Sequence, residues 1–391
     1  MPFPGATGRS LLYFAPSISG GIADYSREQA DALAGLGVQV CFLTAPEFKA
    51  RPQDRYRLQP LLPSRLSPAS SHSRLRTRFT TARRILADMR VLSKYLEGSQ
   101  FRHVLFGTYM EYLAPVWAGH LRRLAARGLV FGAVIHDPVR DAVIGPLWWH
   151  RRSIAAGYSF LREAFVHEPV ELDTARPQPR LRITVIPHGP FATLPPGQTR
   201  VEARQSLDLP PEAKVLLAFG HVRDNKNLDL ALHALKQFPE LILIVAGKPL
   251  AAAQRPVSFY QSLAEELGVA SRCRWLNSFI PEAEVGNLFA ASDVVLLTYS
   301  RQFRSASGVL NLAVAYRKPC LASSGQGNLQ TVVSRYRLGL WVEPDSAGAL
   351  AAGIQKIFRE PPAPDWDRYA AENSWETNAE TVVARIFEDL P

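Results

Sequence analysis

Four consecutive segments decide the fold: Ser10-Leu-Leu-Tyr-Phe-Ala15, the turn Pro16-Ser-Ile-Ser-Gly-Gly21, a helical stretch from Ala23 to Leu36, and Val38-Gln-Val-Cys-Phe-Leu-Thr44. The outer two are short apolar runs, as buried strands are. Between them Ala23, Ala30, Leu33 and Leu36 recur at helical spacing, and Gly37 stops the helix. Strand, glycine turn, helix and strand together make a β-turn-α-β unit, the building block of a parallel α/β sheet.

The alternation continues outward from that unit. His103 to Gly107, Gly128 to Ile135, Ala164 to His167 and Ile183 to Pro187 read as strands. From His188 to about Pro211 the chain is polar and carries Pro190, Pro195, Pro196, Pro210 and Pro211, the composition of a linker. Then the pattern restarts, with strands at Val215 to Phe219, Leu241 to Ala246, Cys273 to Leu276, Asp293 to Thr298 and Pro319 to Ala322. Helices at Leu228 to Gln237 and Glu282 to Ala291 fall between them. After Pro361, Pro362 and Pro364, residues 365–390 read as helix. No internal repeat of solenoid period is present. The spacing alone predicts two parallel α/β domains of similar size.

Length and composition agree with this. At ~100–200 residues per domain, 391 residues make two domains or three. The chain is 47% hydrophobic and 20% charged, ordinary for a globular protein. The formal net charge of +10 calls for anionic company: nucleic acid, phosphorylated small molecules or a membrane surface. It is unevenly placed. Residues 1–200 carry 26 Lys and Arg against 14 Asp and Glu, while residues 201–391 carry 19 against 21. Cys41, Cys273 and Cys320 are far apart and form neither a C-x-x-C pair nor a zinc spacing, which predicts a reduced, cytoplasmic setting. No apolar run reaches the ~20 residues of a membrane span, and the short stretch Leu11 to Pro16 is a poor secretory signal.

Three turns carry chemistry. Gly20-Gly21 lies between a strand and a helix, where backbone N–H groups and the positive helix end make an anion site. Taken alone, the pair reads first as a tight turn. It fits neither G-x-G-x-x-G nor a P-loop. Phe219-Gly-His-Val-Arg-Asp-Asn-Lys-Asn227 follows a strand and precedes a helix. Gly220 permits the turn, and Arg223 and Lys226 can point to the strand end where α/β sheets bind ligands. Arg grips phosphate oxygens bidentately and Lys adds a point charge, which suits a diphosphate. A solvated basic turn with Asp224 as partner reads equally well. Third, a helix begins near Ser307-Gly308 after the strand ending at Thr298. Its N–H groups form a second oxyanion cradle, or Ser305 or Ser307 simply caps it.

These residues carry a resemblance. Gly20-Gly21, Gly-x-Val-Arg-x-x-Lys-Asn at 220–227 and Ser-Gly-Val…Ala…Lys-Pro at 307–319 are similar to retaining glycosyltransferases of the GT-B fold, of the family 4 type. Val185-Ile-Pro-His-Gly189, Phe279-Ile-Pro-Glu-Ala-Glu-Val with the following Leu-Phe-Ala-Ala-Ser-Asp293, and Ser374-Trp375-Glu376 add to it, in order along nearly the whole chain. The resemblance implies two Rossmann-like domains facing each other across a cleft. Residues 1–188 would bind the acceptor and residues 189–360 the nucleotide sugar. Residues 361–391 would hold a helix crossing back to the first domain.

The resemblance also implies a metal-independent, retaining hexosyltransferase whose donor is a nucleotide sugar, with no further cofactor. Arg223 and Lys226 would hold the donor diphosphate and neutralise the leaving group. The backbone at Ser307, Gly308 and Val309, with Gly20, Gly21 and Gly220, would complete the cradle. His136, in Ile-His-Asp-Pro, would face sugar and acceptor, with Asp137 beside it. The sequence departs from the family at two glutamates that bracket seven residues before Lys-Pro: Arg304 and Leu312 stand there. Asn311 is the candidate substitute for the contact with the ribose hydroxyls. A branch reading Tyr…Ser-Gly-Val in this region is similar to this chain. The missing carboxylates also fit a non-catalytic GT-B partner subunit, and the architecture admits a nucleotide-sugar epimerase.

Other histidines divide differently. His167 reads equally as a cleft residue or a structural one, His188 bonds backbone at the hinge, and His221 orients locally. No spacing makes a metal site. In the arginine-rich part, Ser67, Ser70, Ser71 and Ser73 loosen the chain. Residues 74–92 then form a basic amphipathic helix, with Leu75, Phe79, Ala82, Ile85, Leu86, Met89 and Leu92 as its stripe and Arg76, Arg83, Arg84 and Arg90 among them. It suits an anionic membrane surface at the inner face, or core packing with a solvated basic face. Trp148-Trp149-His-Arg-Arg152 is a second interfacial candidate. Nucleic acid is not expected as a partner, since no recognised motif accompanies the charge. The acceptor is expected to be a glycan or a lipid-linked molecule.

Overall fold

A computed structural model describes residues 8–66, 74–138, 143, 145–190, 193–249, 255–304 and 307–388, with the side chains of 74–78 outside the described residues. Ser305, Leu75, Arg76 and the serines of 67–73 therefore fall outside what is described. The chain divides into two compact units, Met1–Gly189 with Asn373–Pro391, and Pro190–Glu372. Residues 361–372 thus go with the second unit and only the final helix with the first.

The first unit holds a seven-stranded parallel sheet: β1 Ser10–Phe14, β2 Gln39–Leu43, β3 Arg57–Gln59, β4 His103–Phe106, β5 Val130–Val134, β6 Glu163–Val166 and β7 Arg182–Val185, in the order β3-β2-β1-β4-β5-β6-β7. The second holds a six-stranded parallel sheet: β8 Lys214–Phe219, β9 Leu241–Ala246, β10 Cys273–Leu276, β11 Val294–Thr298, β12 Cys320–Ser323 and β13 Gly339–Trp341, in the order β10-β9-β8-β11-β12-β13. Covered on both faces, parallel strands read as unbroken apolar runs. Leu241-Ile-Leu-Ile-Val-Ala246 is buried at all six positions. The two faces of the second sheet pack separate cores, one around Leu217, Ile244 and Phe289 and the other around Leu216, Leu243 and Tyr260.

Each strand order reverses once, between β1 and β4 and between β8 and β11. At such switch points the flanking loops leave in opposite directions and open a crevice at the strands' carboxyl ends. Gly20-Gly21 follows β1, Gly107 follows β4, Gly220 follows β8 and Thr298 ends β11. Sequence pattern and topology thus place the chemistry-bearing turns at the two crevices.

The structure departs from the sequence reading in four places. β3 and β13 are three-residue edge strands, too short to leave a periodic signal. The proline-rich stretch contains a helix, Arg200–Ser206, started by a capping box between Thr199 and Glu202. Its Arg204 is 1% exposed and bonds the Ala291 carbonyl and Asp293, so this part belongs to the core of the second unit. The segment read as one helix over 365–390 is two, Trp366–Glu372 and Trp375–Ile386, broken where Ser374 caps the second. Finally, the helix Arg74–Glu97 uses the second half of its apolar stripe inside. Met89 and Leu92 are buried with Ile85 and Leu86 packed beside them, while Phe79 is 70% exposed. Among the described residues no helix is long and apolar enough to cross a membrane.

Candidate functional site

In the second unit the site is built on the loop after β8. Gly220 has φ +86°, a left-handed conformation that favours glycine, and its N–H bonds the Ala246 carbonyl at 2.9 Å. A Cβ there would lie 3.2 Å from Lys226 Nζ and 3.4 Å from Val309 Cγ2. Three sequence-predicted residues therefore meet at one point. Gly247, after β9, has φ +142°, and a Cβ on it would collide with the Gly220 carbonyl. Two glycine turns are stacked at the crevice.

Arg223, Asp224 and Lys226 lie on the short turn that follows. Thr298 Oγ donates to the Lys226 carbonyl at 2.8 Å, and the Ser300 N–H donates to the Asn225 carbonyl at 2.8 Å, so the end of β11 holds the turn down. Asn227 then enters the left-handed region, φ 51°, and the helix Leu228–Leu235 begins. Asp224 does not neutralise the two cations. Its carboxylate accepts from Arg255 Nε at 3.0 Å and from the Tyr260 hydroxyl at 2.8 Å. Among the described residues neither Arg223 nor Lys226 forms an ion pair.

Lys226 sits in a pocket lined by Gly220, Arg223, Leu228, Val245, Thr298 and Tyr299 among others. Its ammonium donates to the Phe219 carbonyl at 2.5 Å. Burial, with the Arg223 charge adding, pulls its pKa from the ordinary lysine value down to about 7. A lysine held this way is short of negative charge. Arg223 is exposed. Burial and then the charges of Arg223, Lys248 and Lys226 lower the His221 pKa. Lys248 thus belongs to the same positive cluster. The sequence reading missed it, although Ala246-Gly247-Lys248 repeats the strand-glycine-polar signal of Phe219-Gly220-His221.

The helix Gly308–Ala315 begins beside this turn. Ser307 is its cap, and its hydroxyl accepts from the Leu310 N–H at 3.4 Å and bonds the Tyr299 hydroxyl at 2.9 Å. Ser307 is 3% exposed, so its side chain serves the fold, while the first-turn N–H groups of Gly308 and Val309 have no partner within the helix. Asn311 is 3% exposed and accepts from the Tyr369 hydroxyl at 2.7 Å. Asn311 is thereby held against Tyr369 within the second unit. Arg304 is exposed and Leu312 packs on the core.

In the first unit, Gly20 has φ +81° and stands before the helix Gly21–Gly35, whose start is exposed. That helix carries Tyr25 into a group of rings. His136 meets Tyr25 edge-on at 4.7 Å, His167 at 5.2 Å, His188 at 5.0 Å and Trp375 at 4.9 Å. His136 Nε2 lies 2.9 Å from the Gly107 carbonyl, which only accepts, so Nε2 carries the hydrogen and Nδ1 is the acceptor. Burial lowers the pKa of His136, leaving it neutral at pH 7. Asp137 is exposed beside it. Burial also pulls His188 down to about 4 and His167 well below the usual range.

The Tyr25 hydroxyl accepts from Asn378 at 3.0 Å, and Asn378 also donates to the Pro187 carbonyl at 2.7 Å. Gln29 donates to Asn378 at 2.8 Å and accepts from Tyr13 at 2.7 Å. Tyr25, Gln29 and Asn378 escaped the sequence reading because nothing local marks a polar network assembled from distant segments. No group of three His, Cys, Asp or Glu among the described residues is arranged to hold a metal ion.

The chain is similar to known proteins. Residues 199–378 match the family model described as glycosyl transferases group 1. The chain is 27% identical over 230 residues to the D-inositol 3-phosphate glycosyltransferase of Corynebacterium urealyticum, covering 54% of this chain and 52% of that one. The chain therefore spans about half the length of that curated relative. Among solved structures, Anabaena HepE in complex with UDP and glucose has a TM-score of 0.63 at 16% identity, covering 97% of this chain and 95% of that one. The catalytic domain of starch synthase IV from Arabidopsis thaliana, bound to ADP and acarbose, has a TM-score of 0.68 at 11% identity, covering 98% and 100%. With its two parallel sheets and the cation-bearing turn after β8, the chain has the GT-B fold and resembles the family 4 type, and residues 199–378 are similar to the glycosyl transferases group 1 model.

Proposed function

We propose that this protein is a glycosyltransferase that moves a sugar from a nucleoside diphosphate sugar to a hydroxyl of a glycan or lipid-linked acceptor. The observation that carries the reading is the pair Arg223 and Lys226, set at the carboxyl end of β8, neither in an ion pair among the described residues, with the Val309 side chain against the same turn. A diphosphate supplies the negative charge this turn lacks. HepE with UDP and starch synthase IV with ADP bind ligands of that class on the same fold.

In the transfer, the bond between the sugar C1 and the β-phosphate oxygen breaks, and its electron pair leaves with the nucleoside diphosphate. C1 bonds to the acceptor oxygen, whose proton passes to the departing diphosphate. Arg223 and Lys226 meet the charge that grows on the departing diphosphate, where preorganised cations act most strongly. They fill the neutralising role, so the reading needs no metal. Gly220, Gly308 and Val309, with Gly20 and Gly21, are assigned to the donor through their backbone. His136 and Asp137 are assigned to sugar and acceptor, with His136 Nδ1 as a hydrogen-bond acceptor. Ser307 positions the helix start, and Asn311 is left out of the donor set. Retention of configuration and a hexose as the sugar are carried over from the family resemblance.

A transfer assay with UDP-, ADP- and GDP-sugars and a panel of glycan and lipid-linked acceptors tests this. Arg223→Ala and Lys226→Ala are each expected to lower kcat/KM about 100-fold, in line with ~2.7 kcal/mol of lost charge stabilisation. Unchanged activity in both variants refutes the diphosphate assignment. Nucleotide binding without turnover on any acceptor favours a non-catalytic partner subunit, the reading that Arg304 and Leu312 support. A changed sugar without acceptor favours an epimerase. Peripheral contact with an anionic membrane rests on exposed Phe79, Arg83 and Arg90. It predicts binding to phosphatidylglycerol vesicles that weakens with salt and with Phe79→Ser.

A further inference from the structure

The first unit has a cavity of about 370 Å3 between the helices Ala114–Ala126 and Leu147–Tyr158 and the loop after β6. That size falls within the ~300–1,000 Å3 of small-molecule sites. Its floor is made of small side chains, Ala118 and Ala155 among them. Arg122 comes from the first helix, Arg152 from the second and Arg176 from the loop. Among the described residues no carboxylate lines it. Among the described residues none of the three guanidinium groups makes an ion pair or a side-chain hydrogen bond.

The loop that brings Arg176 is held in shape. Asp173 accepts from the Ala175 N–H at 2.8 Å, and Thr174 Oγ donates to the Arg176 carbonyl at 2.7 Å. Gln178 Nε2 donates to the Ala155 carbonyl at 3.1 Å, fastening the loop to the second helix. Three like charges from three elements, all solvent-exposed, are thus gathered around one opening, where a bound anion would offset their mutual repulsion. Planar guanidinium groups grip phosphate oxygens in pairs. We propose that this cavity is a second anion site, in which Arg122, Arg152 and Arg176 bind a phosphate-bearing ligand, either a soluble sugar phosphate or a phospholipid headgroup. It does not rest on the transferase reading, because every residue in it belongs to the first unit and the donor cations belong to the second.

The test uses inorganic pyrophosphate as probe, titrated calorimetrically into full-length protein carrying Arg223→Ala and Lys226→Ala, so that the donor turn is silent. Binding is expected to persist there and to weaken more than tenfold when Arg122→Gln, Arg152→Gln and Arg176→Gln are added. No binding in the first protein, or equal binding in the second, overturns the proposal. If the triple change disturbs folding by circular dichroism, single Arg152→Gln and Arg152→Lys variants decide it. Glutamine is expected to weaken binding more than lysine does, and equal affinity for all three side chains overturns the site. Vesicles of phosphatidylglycerol then separate the sources. Pelleting that pyrophosphate blocks and the arginine changes abolish identifies a lipid headgroup. Pyrophosphate binding without arginine-dependent pelleting identifies a soluble phosphate.

Discussion

Gly189 lies directly against the indole of Trp375, so close that a Cβ at position 189 would collide with the ring. This contact joins Val185-Ile-Pro-His-Gly189 to Ser374-Trp375-Glu376, two segments almost two hundred positions apart that both belong to the first unit. The final helix is thereby pinned to the sheet, and Ile386 at its far end touches Gly132 of β5. Gly189→Ala should destabilise the first unit by about 1–3 kcal/mol through overpacking. Adding Trp375→Leu should recover part of that loss, a coupling that a double-mutant cycle in urea measures. Strictly additive losses would show that the two residues act separately.

Lys226 gives a pH signature. Its folded pKa of about 7 is below the unfolded value of ~10.4, so between those values the unfolded chain binds more protons and stability rises with pH. Below pH 7 the whole cost of charging the buried amine is present. Lys226→Met should therefore raise Tm by several degrees at pH 6, and the gain should shrink as pH approaches 10. Thermal unfolding at the two pH values checks this; an equal gain at both removes the buried-charge explanation.

The same lysine predicts how donor binding responds to pH. A diphosphate favours the protonated amine, so binding takes up a proton when the pH is above about 7. UDP, ADP or GDP affinity should fall up to about tenfold per pH unit above that point. Lys226→Arg should flatten the profile, since Arg keeps its charge. Calorimetry in buffers of different ionisation enthalpy reads the proton uptake directly.

Acid should loosen the first unit through its histidines. His188 titrates near 4 in the fold against ~6.5 unfolded, and His136 and His167 are shifted the same way. Their contribution is complete above pH ~6.5 and is lost as pH falls towards 4, on the order of 3 kcal/mol for His188. His188→Phe should reduce the loss of stability between pH 6.5 and 4, followed by tryptophan fluorescence during urea unfolding. A slope unchanged by that substitution would assign acid sensitivity elsewhere.

Tyr369→Phe removes the donor to buried Asn311 and should cost about 1–3 kcal/mol of stability. Nucleotide affinity should stay within about twofold of the parent. A large loss of affinity with little loss of stability would return Asn311 to the donor site.

Much of this site was legible locally. Gly220, Arg223 and Lys226 are crowded into seven positions after an apolar run, so their convergence follows from one turn. Their pairing was not legible. Asp224 is a neighbour in sequence, yet Arg255 and Tyr260 claim its carboxylate from another part of the second unit. Likewise the stripe Phe79 to Leu92 has helical period throughout, but period shows only that residues share a face. Where the helix meets the core, Met89 and Leu92 are buried; where it does not, Phe79 stays in solvent.

The amino-acid sequence by itself determined the alternation of strand and helix, the parallel sheets and the glycine turns at their ends. Those depend on periodicity, chain stiffness and local hydrogen bonding. Only the tertiary structure decided that Asn311 points inward, that Lys226 loses water without gaining a counter-charge, that Trp375 fills the space left by Gly189, and that Arg122, Arg152 and Arg176 surround one cavity. Each of these depends on desolvation and on neighbours far along the chain, and burial is a property of the packed fold that no local spacing records.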